Sequence, residues 1–94
     1  MIRLVKMTFK PECIEEFKTT FERSKPQILT FAGCSDVWLL QDEYDPKVMM
    51  TYSIWDTEES LNTYRESEFF RNTWKHTKTL FADKPEARSF NRID

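Results

Sequence analysis

His76 is the only histidine among 94 residues, and so the one imidazole able to trade a proton near neutral pH. It can act as a base toward a phenol or quinol. At about 100° per residue, Phe69, Phe70, Thr73, Thr77, Leu80 and Phe81 form one broad apolar arc, with His76 on one edge and Trp74 on the other. An edge position suits a pocket rim, and it equally suits an ordinary half-exposed histidine. Trp74 can stack on a planar ligand or serve as a core aromatic. Tyr52 and Tyr64 each carry a hydroxyl that can donate and accept. Tyr52 lies among apolar residues, so its hydroxyl needs a partner wherever it is buried, which makes it the stronger catalytic candidate of the two. Met7, Met49 and Met50 read as an adaptable apolar wall or as core filling. Trp38 and Trp55 read as interface and core residues. Arg88, Asn91 and Arg92 can reach an anionic substrate, or simply form a solvated edge.

Other chemistries find little support. The acidic pairs Glu15-Glu16, Asp42-Glu43 and Glu58-Glu59 read as solvated faces and a helix cap, not as paired catalytic carboxylates. A single glycine, Gly33, cannot build a phosphate-cradling loop. Cys13 and Cys34 are too few and too far apart for a zinc site or a disulfide framework, so no metal is expected and both read as reduced thiols. That usage, with an N-terminus that runs directly into a strand pattern, points to a cytoplasmic location. The net charge of −2 and the scattered basic residues give no footprint for nucleic acid. No apolar run approaches the roughly 20 residues of a membrane span.

These side chains need a frame, and 94 residues make one domain, 1–94. Residues 2–9 alternate as a strand. Pro11 suits a first helical turn, and Ile14, Phe17 and Phe21 follow at helical spacing until Pro26, which is expected to end or kink the helix. Residues 35–43 and 48–55 are two further strands joined by a polar hairpin with Asp45-Pro46 at its turn. Asp56 and Glu59 suggest a capping box ahead of a second helical region, about 57–82, broken near Ser67. Residues 86–92 form a last, more polar strand. The order βαββαβ predicts a ferredoxin-like α+β fold: a four-stranded antiparallel sheet with both helical regions on one face.

A sheet covered on one face should alternate apolar and polar residues. Strands two and three do not. Trp38 and Leu40 point away from Val37 and Leu39. Met49 and Trp55 point away from Val48, Met50, Tyr52 and Ile54. One set faces the helices; the other forms a bare apolar patch of roughly several hundred Å², which predicts a homodimer packed sheet to sheet.

This arrangement, together with Phe31-Ala32-Gly33-Cys34, Thr51-Tyr52-Ser53-Ile54-Trp55, Ser67-Glu68-Phe69-Phe70 followed by Trp74-Lys75-His76-Thr77, and Lys84-Pro85-Glu86-Ala87, resembles the antibiotic biosynthesis monooxygenase family. The resemblance implies a dimeric α+β barrel. It also implies oxidation of a small aromatic or quinone-like molecule by O2 without a cofactor, in a pocket that includes Val5, Met7, Tyr64, Phe70 and Trp74. One branch of that family degrades haem with an Asn in strand one and a Trp and an axial His in the second helical region. Val5, Tyr64 and Trp74 stand at those places, so that branch's residues are not carried over. A register two residues along would bring His76 to the axial place but lose the Phe70 match. The alternative function is a non-catalytic dimeric module that binds a small ligand. RNA binding ranks below both, because the aromatic and basic RNA-recognition pattern is absent.

Overall fold

The computed structural model describes residues 1–94. Its elements run β1 (Ile2–Thr8), a 3-10 turn (Pro11–Cys13), α1 (Ile14–Ile28), β2 (Cys34–Gln41), β3 (Val48–Trp55), α2 (Glu58–Glu66), α3 (Glu68–Lys78) and β4 (Glu86–Phe90). The strands form one sheet in the order β2-β3-β1-β4, every neighbour antiparallel. This is the expected ferredoxin-like α+β topology, with the second helical region divided into α2 and α3.

Local sequence explains most of these boundaries. In α1, Ile14, Phe17, Phe21, Ser24 and Ile28 recur at intervals of three and four, and Phe17, Ser24 and Ile28 are buried. Pro26 does not end this helix as expected. It sits inside the last turn, where burial of Ile28 carries the helix two residues further. Its missing N–H leaves the Glu22 carbonyl without its usual helical partner, a local cost that does not stop the chain from completing the turn.

The cap of α2 also differs from expectation. Thr57, not Asp56, is the N-cap: its Oγ1 accepts from the Ser60 N–H at 3.1 Å. The Asp56 carboxylate is held instead by the side chains of Ser60 and Thr57, which keep its pKa below the usual carboxylate range. Ser67 produces the expected break. It is extended at ψ 151°, accepts from the Phe70 N–H at 3.1 Å and donates to the Tyr64 carbonyl at 2.6 Å. Gly33 enters β2 at φ +89°, and a side chain there would collide with Asp56 and Ser60.

Register sorts the sheet into two faces. Toward the helices point Val37, Ser53, Arg3 and Ser89 in one row, and Leu39, Thr51, Val5 and Ala87 in the next. Met49 and Met7 pair beyond them. The tight core lies at that end: Met7, Phe9, Phe17, Met49 and Leu80 are all nearly inaccessible. Phe9 stacks on Phe17 with ring centroids 4.4 Å apart. On the opposite face Ile54, Ile2 and Phe90 form one row, Trp38, Tyr52 and Leu4 another, and Leu40 and Met50 a third. No helix covers this side. Trp38 is 41% exposed, Leu40 45% and Phe90 47%.

Candidate functional site

Between the sheet and the helices, next to the tight core, lies a cavity of about 230 Å³. Its origin is side-chain size. The two helix-facing rows beyond Met7 carry Ser53, Thr51 and Ala87, residues too small to fill the space beneath the helices. Phe17, Phe21 and Ile28 of α1, Leu61 and Tyr64 of α2, and Phe70 and Trp74 of α3 form the roof. Twelve of the twenty lining residues are hydrophobic, so the space suits an apolar body better than a string of waters. Ala87 is exposed as well as lining, so the cavity reaches solvent beside β4.

An aromatic chain runs along the roof. Trp74 lies parallel to Phe70 at 5.9 Å, Phe70 meets Tyr64 edge-on at 5.1 Å, and Tyr64 stacks on Trp55 at 5.1 Å. These contacts fix the rings in place and leave planar faces along the walls. Burial, reinforced by the nearby Cys34, pushes the Tyr64 phenol well above its usual pKa, so it stays protonated at neutral pH, able to donate a hydrogen bond but not to act as a phenolate base. Ser53 Oγ accepts from the Trp55 Nε1–H at 2.9 Å. Thr77 and Ser24 donate to carbonyls of their own helices, at 2.8 and 2.7 Å.

Of the residues singled out from sequence, Val5, Met7, Tyr64, Phe70 and Trp74 line this one cavity. Tyr52 does not. It shares β3 with Thr51 and Ser53 but points to the other face, where its ring lies 5.1 Å from that of Trp38. Strand alternation decides this: being mid-strand among apolar residues could not say which face was the helix-covered one. His76 also lies off the cavity. It is half-exposed, with Nε2 3.0 Å from Glu16 Oε2, linking α3 to α1 on the outside. Arg88 is on the open face of β4, and Arg92, past the strand, pairs with Asp94.

Sequence reasoning passed over Arg3 and Arg65, which both line the cavity. The signal for Arg3 was present. It shares parity with Val5 and Met7, and a charge on the inward side of a strand is uncommon. No lining residue is a carboxylate, a histidine or a cysteine. Nowhere in the chain do three His, Cys, Asp or Glu side chains gather as a metal site. No helix is long and apolar enough to cross a membrane.

Residues 1–75 match the model of the family described as antibiotic biosynthesis monooxygenase. The chain belongs to that family. Solved structures of similar fold include a conserved protein from Methanosarcina mazei Go1, 25% identical with a TM-score of 0.87 over 93% of this chain and 87% of that one. Another, from Nitrosomonas europaea, is provisionally named an antibiotic biosynthesis monooxygenase. It is 16% identical, with a TM-score of 0.91 over 98% of this chain and 88% of its own. A curated relative from Natronomonas pharaonis, provisionally named a heme-binding protein, is 28% identical over 78 residues, or 83% of this chain. The present antibiotic biosynthesis monooxygenase domain spans only 13% of that relative's length.

Proposed function

We propose that this chain is a cofactor-independent monooxygenase that takes a small aromatic or quinol-like compound into the cavity, working as a homodimer. The aromatic-walled cavity carries the reading: it offers flat faces, little water and one protonated phenol. For an anthrone-like substrate the reaction in view converts an activated ring methylene to a carbonyl. The substrate loses a proton and its carbanion reduces O2. One oxygen atom bonds to the carbon, and the second leaves as water when the O–O bond breaks and the remaining C–H proton is lost. CH2 plus O2 gives C=O plus H2O, so no outside reductant is needed. The protein's part is to orient the ring against Trp74 and Phe70, to exclude water and to donate a hydrogen bond from Tyr64.

Because no carboxylate or imidazole lines the cavity, the substrate must itself be acidic, as anthrones and hydroquinones are. Oxygen uptake with a panel of such compounds, against a heat-denatured control, tests this. Uptake no faster than the control overturns the oxygenase. The missing base also favours a second reading, a non-catalytic binding module. Ligand-dependent thermal shifts without turnover would establish it.

Haem, brought in by the name of the Natronomonas relative, does not fit the lining residues. They include no histidine or cysteine to hold the iron, Met7 is packed into the core at 2% exposure, the raised pKa of Tyr64 disfavours the phenolate an iron would need, and His76 is paired with Glu16 outside the cavity.

The dimer rests on the open sheet face. Covering a large apolar side chain fully contributes about 1.5–3 kcal/mol, and Ile2, Leu4, Trp38, Leu40, Tyr52, Ile54 and Phe90 stand together there. Several such burials exceed the lower estimates, about 4 kcal/mol, of the cost of association. Light scattering at micromolar concentration is expected to return twice the chain mass. A stable single-chain particle overturns the dimer.

A further inference from the structure

Two guanidinium groups stand on the cavity wall, neither of them in a salt bridge. Arg3 is half-buried on the helix-facing side of β1, and Arg65 is exposed in the last turn of α2. The chain's ion pairs join Lys6 to Glu86, Lys18 to Glu15, Lys47 to Asp45, His76 to Glu16 and Arg92 to Asp94; neither cavity arginine takes part. Arg3 donates once, from Nη1 to Ser89 Oγ at 3.1 Å. A guanidinium presents five donors in a fixed fork, so most of its hydrogen-bonding capacity is free. Burial lowers the Arg3 pKa from the usual arginine value, and the charge of Arg65 lowers it further, with Glu58 acting in the opposite sense. Both guanidinium groups line the same cavity, so an anion inside it is attracted to both. Ser53 is paired with Arg3 in the sheet register and also lines the cavity. Its Oγ already accepts from Trp55, so its own O–H is left to donate.

We infer that the cavity binds an amphipathic carboxylate, with its aromatic body against Val5, Phe70 and Trp74 and its carboxylate held by Arg3 and Arg65, with Ser53 alongside. A carboxylate matches the guanidinium fork with two parallel hydrogen bonds. The inference deepens the proposed function by naming the substrate class, and it rests on the cavity being the ligand site. The volume, about 230 Å³, limits the body to a small fused-ring system.

The test is calorimetric titration of the full chain with 2-naphthoate and with its neutral isostere 2-naphthylmethanol. The acid is expected to bind at least tenfold more tightly, with an advantage that shrinks between about 50 and 300 mM salt as the charges are screened. Arg65→Gln, at an exposed position, is expected to cut the acid's advantage severalfold, Arg3 still facing the carboxylate, while the alcohol continues to bind. Retained binding of the alcohol shows that the variant is folded. Arg3→Gln should act in the same direction, and the double variant should bring acid and alcohol to similar affinity. Equal binding of acid and alcohol by the parent, or an acid advantage undiminished in the double variant, overturns the carboxylate while leaving the cavity as a binding site. Binding of neither compound overturns both.

Discussion

The two faces of one sheet are built from opposite materials. Thr51 and Tyr52 are adjacent in β3, yet Thr51 lines the cavity and Tyr52 packs against Trp38 on the open side. The covered face uses Ser53, Thr51, Ala87 and Val5 at its centre; the uncovered face uses Trp38, Tyr52, Leu4 and Ile54. Ordinary core packing would put the large residues under the helices and the small or polar ones toward water. The inversion shows that hydrophobicity here serves two separate purposes. One face leaves room and the other offers surface.

The sharpest way to break the contrast is to charge the outer face. On the proposed dimer, Trp38→Glu is expected to weaken association at least a hundredfold, as removal of a central interface tryptophan commonly costs 2 kcal/mol or more and the introduced charge adds to it. Sedimentation over a dilution series should show the chain moving to single-chain mass, and an unchanged dimer would remove this face from the assembly. Next is Thr51→Leu, which fills the cavity from the floor. Ligand affinity should fall about tenfold or more by calorimetry, the dimer should persist, and the melting temperature should hold or rise as empty volume is filled. Unaltered binding would move the ligand elsewhere.

His76→Ala should matter less. An ion pair between half-exposed side chains is worth about 1 kcal/mol at most, and His76 does not line the cavity. Oxygen uptake should stay within about twofold of the parent. A tenfold loss would restore the imidazole as the base. The smallest effect belongs to Asp42 in the hairpin, whose carboxylate accepts the N–H groups of Asp45 and Tyr44 at 2.9 and 2.8 Å and is held below the usual carboxylate pKa by them. A depressed folded pKa stabilises above the unfolded value and loses that contribution as pH falls through the folded one. The melting-temperature gap between the parent and Asp42→Ala should therefore be present at neutral pH and close below about pH 4. A gap constant down to pH 2 would assign it to something other than the charge.

Much of this was legible from the chain alone. The period-two and helical spacings gave the element order, and apolar residues at both parities of β2 and β3 exposed the bare face before any coordinates. The division at Ser67 was visible because a serine followed by Glu68-Phe69-Phe70 is a helix start. Pro26 misled because its penalty is local, while burial of Ile28 is tertiary. Asp56 misled because two adjacent residues could both cap, and geometry favoured Thr57. For the site, alternation placed Tyr52 and Thr51 on opposite faces but could not attach a label to either. The family resemblance supplied Val5, Met7, Tyr64, Phe70 and Trp74, which do line the cavity, but the residue pattern alone hid it, because an empty space is produced by neighbours in register, and register joins Thr51 to Val5 and Val5 to Ala87 across long separations. Helical spacing put His76 on the edge of the apolar arc, but only the packing of α1 against α3 decided that this edge faces Glu16 and not the cavity.

The three tryptophans divide between two surroundings: Trp55, 1% exposed, and Trp74 both line the cavity, and Trp38 stands on the outer face. A ligand in the cavity should therefore perturb both Trp55 and Trp74, and on the proposed dimer Trp38 alone should respond to the meeting of two chains. Single-tryptophan variants can thus separate loading from the proposed assembly by intrinsic fluorescence, with no added dye.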